Sequence, residues 1–97
     1  MYNGKKVVVV MPAYNAAQTL KKTHREVMDQ GVVDQVIVVD DDSQDETVAV
    51  AETLAHTVVF QHTRNQGYGA NQKSCYRQAL AAGGDIVVMV HPDYQYT

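Results

Sequence analysis

The sequence predicts an α/β domain: a three-layer α/β/α sandwich around a mainly parallel sheet with strand order 3-2-1-4. Three observations predict it. Short β-branched runs recur without apolar–polar alternation, as in strands covered on both faces. Segments with helical punctuation lie between them. Acidic or turn-forming residues follow three of the runs directly, where open parallel sheets place ligands. The runs are Val7 to Met11, Gln35 to Val39, Thr57 to Gln61 and Ile86 to Val90. In a β-α-β-α-β-α-β chain, right-handed crossovers set the first strand between the second and the fourth. The loops Pro12 to Asn15, Asp40 to Ser43 and His91 to Asp93 then share one rim at the topological switch point.

Each helix has its own signals. Asn15 is predicted to cap the first, with Gln18 three residues on, and Leu20, His24, Val27 and Met28 form its apolar face up to Gly31. Ser43 with Glu46 has the form of a capping box, opening a second helix whose face is Val48, Ala51, Leu54 and Ala55. Asp45 suits the positive end of that helix. The third helix, roughly Ala70 to Ala82 by its punctuation, carries the small-residue face Cys75, Ala79 and Ala82 and stops at Gly83-Gly84.

A chain of 97 residues makes one small domain, near the lower end for burying a sizeable core. Its net charge of −3 and lack of a Lys/Arg cluster argue against a nucleic-acid surface, which needs a basic stripe. Cys75 is the only cysteine, which excludes an intrachain disulfide and a cysteine-based metal site and fits a small buried thiol in a reducing compartment. No apolar run is long enough to span a bilayer, and the N-terminus lacks the form of a signal peptide, so a cytoplasmic location is expected. The chain ends directly after a strand and an acidic loop. That suggests a truncated piece of a longer protein, whose exposed sheet edges would make it self-associate.

Several constellations carry candidate chemistry. Asp40, Asp41 and Asp42 are adjacent like charges that a cation or hydrogen-bonding ligand would relieve. Asp40 fits a turn anchor and Asp42 a solvated carboxylate, while Asp41 fits ligand contact or structure equally by position. Asn65-Gln66-Gly67-Tyr68-Gly69-Ala70-Asn71 has glycines that allow close approach of backbone to ligand, but it lacks the third glycine and the preceding strand position of a dinucleotide fingerprint and by itself reads rather as a plain turn leading into a helix. Asp93, in His91-Pro92-Asp93, is placed to hold a hard divalent cation bridging a diphosphate, and His91 fits a second ligand or a histidine bonded to backbone. Tyr14 fits either stacking on a base or rim packing. His24, His56 and His62 show no ligand spacing and read as surface or helix-face residues. Lys5, Lys6, Lys21 and Lys22 read as solvated charges.

Taken as an ordered set, Val7-Val8-Val9-Val10-Met11-Pro12-Ala13-Tyr14-Asn15, Val38-Val39-Asp40-Asp41-Asp42-Ser43-Gln44-Asp45-Glu46-Thr47, Asn65-Gln66-Gly67 and Gly83-Gly84-Asp85-Ile86 resemble the nucleotide-binding half of a family 2 glycosyltransferase of the GT-A fold. The resemblance covers nearly the whole chain, so residues 1–97 are expected to be the N-terminal nucleotide-sugar-binding part of such a domain. It implies a nucleoside-diphosphate sugar as partner, with Pro12, Ala13, Tyr14, Asn15, Asp41, Asn65, Gly67 and Asp93 in the donor site. It also implies Mg²⁺ or Mn²⁺ as cofactor, held by Asp93 with His91 beside it. His91 replaces the first aspartate of the family's D-x-D motif, Asp42 replaces a glycine that commonly follows the acidic pair, and Ala16 replaces a frequent acidic residue. A general base and the acceptor site would lie beyond Thr97, so no catalytic residue is expected in this stretch. Pro92-Asp93-Tyr94-Gln95 resembles relatives of polyprenyl-phosphate sugar synthases, which implies an anionic phosphate or a saccharide as acceptor and a parent protein at the cytoplasmic face of a membrane.

Two other readings compete. A non-catalytic module that binds nucleotide or self-associates would keep the fold without the reaction. A signalling receiver domain has a similar acidic cluster, but here its phosphoacceptor position falls on Val90, which has no nucleophile.

Overall fold

The computed structural model describes residues 1–92. The elements are β1 (Val7–Ala13), α1 (Ala17–Met28), β2 (Gln35–Asp40), α2 (Thr47–Glu52), β3 (Thr57–Gln61), α3 (Tyr68–Ala81) and β4 (Ile86–Met89). All three strand pairings are parallel and the order is β3-β2-β1-β4, as the crossover argument predicts. That order sets β3 outside β2 and β4 directly beside β1, unlike the 2-1-3-4-5 order of receiver-type sheets, which removes the signalling alternative.

The uninterrupted β-branched runs are explained by burial on both faces. Every residue of β1 is buried. Side chains of successive strand residues point to opposite faces, so Val9, Met11, Val36 and Val38 pack with Leu20, Val27 and Ala51 of α1 and α2. Val8, Val10, Ile37 and Val39 pack with Cys75 and Ala79 of α3. A fully buried side chain such as Leu20 contributes about 1.5–3 kcal/mol by its removal from water. The small faces of Cys75 and Ala79 let α3 approach the sheet closely. Gly84 continues this, since a Cβ there would stand 3.0 Å from Val8 Cγ2.

Pro12 ends the pairing of β1 with β4. The Val90 N–H donates to Val10 O on the β4 side of β1, at 2.9 Å, and the next donor on that side would come from residue 12, which has none. The chain after β4 is thereby released toward the rim.

The helix starts differ from the local capping rules. Asn15 does not cap α1: it has φ 50°, the helix begins at Ala17, and no side chain at the Ala16 cap position bonds to it. Ser43 does not form a capping box with Glu46, because its N–H and hydroxyl both turn back to Asp40, and α2 begins only at Thr47. α3 begins at Tyr68, following Gly67 at φ 92°. Lys6 is not merely solvated: its Nζ donates to Ala82 O at 2.7 Å, satisfying a carbonyl beyond the C-terminus of α3. Outside the core, Val58, Phe60 and Val88 on the two edge strands are more than a third exposed. An apolar groove of about 220 Å³ runs beside β4, lined by Val7, Val9, Val27, Val33, Val88 and Val90. Among the described residues, no helix is long and apolar enough to cross a membrane.

Candidate functional site

Because all strands are parallel, the segments after β1, β2, β3 and β4 leave the same edge of the sheet. Side chains of the β2 loop tie the first three together. The Asn15 N–H donates to Ser43 Oγ at 2.8 Å, and the Gln44 N–H returns to Asn15 Oδ1 at 2.8 Å. The Ala16 N–H donates to Thr47 Oγ1 at 2.8 Å and the Ala17 N–H to Asp45 Oδ2 at 3.2 Å. The first amides of α1 are therefore capped by the approach to α2, not by their own neighbours. Asp45 also accepts the Thr47 N–H at 3.0 Å and the Thr47 hydroxyl. What burial Asp45 has raises its carboxyl, but the Thr47 hydroxyl and the N–H groups of Thr47 and Ala17 outweigh it and hold the group below its ordinary value.

The aspartate run divides its work. Asp40 is fully buried and anchors Ser43. Asp42 adopts φ 59°, a left-handed conformation that glycine takes freely and aspartate tolerates. Asp41 is 3% exposed and holds the segment after β3. Its Oδ1 accepts the Gln66 N–H at 2.8 Å and pairs with His62 Nδ1 at 2.8 Å, and its Oδ2 accepts the Gly67 N–H at 3.0 Å. Asn65 Nδ2 donates to the Asp41 carbonyl at 3.2 Å. Each carboxylate oxygen offers two lone pairs, so Oδ2 retains capacity for one more donor.

Of the residues singled out by sequence, Pro12 and Ala13 are the buried last two residues of β1, and Tyr14 is exposed at the rim. Asn15, Asp41, Asn65 and Gly67 are joined through the contacts above. His91 lies on the β4 side of the same edge, its Nε2 2.9 Å from Tyr68 Oη and its ring stacked on Tyr68 at 5.4 Å between centroids. Asp93 lies outside the described residues, as do Tyr94 and Gln95. Among the described residues, no three His, Cys, Asp or Glu side chains gather as a metal cluster, so these residues alone do not form a closed metal site.

Other participants escape sequence reasoning. His62 is not a surface residue: its side chain is 12% exposed and it bridges Asp41 to Ser74, with Nε2 2.9 Å from Ser74 Oγ. The signal for it was its place directly after β3, on the same rim as the acidic loop. Asn71 is also buried and donates to Val39 O at 3.1 Å, pinning α3 to the end of β2. Asp45 reads in the sequence only as a helix-start residue, and Thr47 carries no signal of its own there.

The all-parallel sheet in the order β3-β2-β1-β4 matches the fold of solved glycosyltransferases. The chain belongs to glycosyl transferase family 2, whose family model matches residues 8–97. It is 26% identical to the mannosyltransferase PcManGT from Pyrobaculum calidifontis, solved with GDP-Man and Mn²⁺, with a TM-score of 0.78 over 92% of this chain and 28% of that one. It is 28% identical to glucosyl-3-phosphoglycerate synthase from Mycobacterium tuberculosis, solved with Mn²⁺, UDP and glucosyl-3-phosphoglycerate, with a TM-score of 0.71 over 93% of this chain and 34% of that one. A dolichol-phosphate mannosyltransferase from Pyrococcus furiosus is 30% identical over 96 residues, covering 94% of this chain and 26% of that protein. The chain thus spans about a quarter of the length of the curated relatives it matches.

Proposed function

We propose that residues 1–97 are the donor-binding part of a glycosyltransferase that moves a sugar from a nucleoside diphosphate to an acceptor. The observation that carries this reading is Asp41, nearly buried where the ends of β1, β2 and β3 converge and bonded to the Gln66-Gly67 turn. In this reading Pro12 to Asn15, Asp41, Asn65 and Gly67 hold the base and ribose, with Asp41 Oδ2 accepting one N–H or hydroxyl of the nucleoside. The relatives solved with UDP or GDP-Man support that ligand class. Their Mn²⁺ supports a divalent cation here, which Asp93 and His91 would help to hold and which would offset negative charge on the leaving diphosphate. The acceptor in this reading is a polyprenyl phosphate or a saccharide, bound by the part of the protein beyond Thr97, and the cytoplasm is its proposed location.

Calorimetric titration with UDP and with GDP, each with Mn²⁺ and with EDTA, tests the reading. Binding to the parent is expected, with a loss of about tenfold in Asp41→Ala, the scale of one hydrogen bond to a charged group. Unchanged binding by Asp41→Ala removes the nucleoside assignment. Indifference to both EDTA and Asp93→Ala removes the metal.

A second reading is favoured by the bare edges at Val58, Phe60 and Val88: the isolated chain binds nucleotide or self-associates and transfers no sugar.

A further inference from the structure

We propose that His62 is a positioning residue for the nucleotide site, acting through Asp41; the inference rests on the donor-binding reading above. Asp41 has three donors around its carboxylate, and they differ in what anchors them. The Gln66 and Gly67 amides belong to the turn between β3 and α3.

His62 is anchored to rigid elements instead. Its N–H donates to Asp40 O at 2.8 Å, extending the β2–β3 ladder by one residue. Its Nε2 meets Ser74 Oγ at 2.9 Å, on the second turn of α3. α3 is itself held to β2 by Asn71, through Val39 O at 3.1 Å. The imidazole therefore ties the aim of Asp41 to β3 and α3, and a fixed acceptor is worth more to a ligand than one that must be ordered on binding. The Ser74 hydroxyl can donate or accept, so it holds the ring in either of its protonation states.

Asp41, His62 and Ser74 are connected like a nucleophile relay, but the surroundings do not support one. Ser74 lies within α3, where the neighbouring backbone N–H groups are spent on helix bonds, so no pair of donors is aimed at a developing oxyanion. The role left is orientation.

Two substitutions separate orientation from simple packing. His62→Phe keeps the ring volume and removes the donor, whereas His62→Asn keeps a donor near the Nδ1 position and removes volume. Titration with UDP and with GDP in the presence of Mn²⁺ is expected to show His62→Phe weakened about tenfold and His62→Asn within about twofold of the parent. Rescue by Phe and not by Asn assigns His62 to packing and overturns the proposal. If Asp41→Ala loses affinity while His62→Phe does not, the proposal falls and the donor-binding reading stands. If neither variant loses affinity, both fall. Should His62→Phe fail to fold, nitrogen NMR of the parent decides: Nδ1 in its N–H form is required, and a bare Nδ1 would overturn the assignment.

Discussion

Thr47 Oγ1 accepts the backbone N–H of Ala16 at 2.8 Å, so the first residue of α2 closes the start of α1. Both groups are buried. Thr47→Val keeps the shape and removes the acceptor, leaving the Ala16 amide without a partner, and is expected to cost about 1–3 kcal/mol. Thr53→Val, at an exposed hydroxyl bonded to Val50 O, is expected to change stability by less than about 0.5 kcal/mol. Urea unfolding midpoints at constant slope compare the two. Equal effects would show that the cross-helix cap contributes nothing.

Asp45 gives this cap a dependence on acidity. Slight burial opposes its charge, but its bonds to the Thr47 hydroxyl and to the Thr47 and Ala17 amides hold the folded carboxyl below 3.8. A lowered folded value means that the stabilisation is complete above the unfolded value and is lost as pH falls through the folded one. The stability difference between the parent and Asp45→Asn should therefore be constant at neutral pH and shrink in acid below 3.8. A difference independent of pH across that range contradicts the assignment.

Gly84 is predicted to resist enlargement. Its added Cβ would meet Val8 Cγ2 at 3.0 Å and Ala79 O at 3.3 Å, wedging α3 from the sheet. Gly84→Ala should destabilise by about 1–3 kcal/mol. Gly69→Ala, where nothing lies within 4 Å, should be neutral or stabilising by up to about 1 kcal/mol in the first turns of α3. Thermal unfolding of the pair reads the contrast, and a Gly84→Ala protein as stable as the parent would mean that this approach is loose.

Self-association is expected of the isolated chain, through the exposed apolar residues of its edge strands. Light scattering at rising concentration should report dimers or larger species, and Val88→Lys, at a residue 44% exposed beside the apolar groove, should shift them toward monomer. A parent chain that stays monomeric at high concentration rejects this.

The strands and their order were legible because continuous β-branched runs such as Val7 to Met11 have one common cause, burial on both faces, and because crossover handedness leaves few topologies. The shared rim was legible for the same reason. The bonds across it were not. Capping rules look three residues ahead, whereas Asn15, Ala16 and Ala17 find their acceptors 28 to 31 residues away. Asn15 therefore reads as a cap in sequence but receives the Gln44 amide in the fold. His62 has no ligand at helical or strand spacing, and its partners Asp41 and Ser74 meet it only after β2, β3 and α3 are assembled.

Whether one rim of this sheet receives a nucleoside diphosphate is read from backbone amide shifts during titration with UDP and with GDP in the presence of Mg²⁺. Changes are expected at Tyr14, Asn15, Asp41, Gln66 and Gly67, and none at Gly31, Asp34, His56 and Gly83 on the opposite edge. Shifts gathered on that opposite edge, or no shifts with either nucleotide, would contradict it.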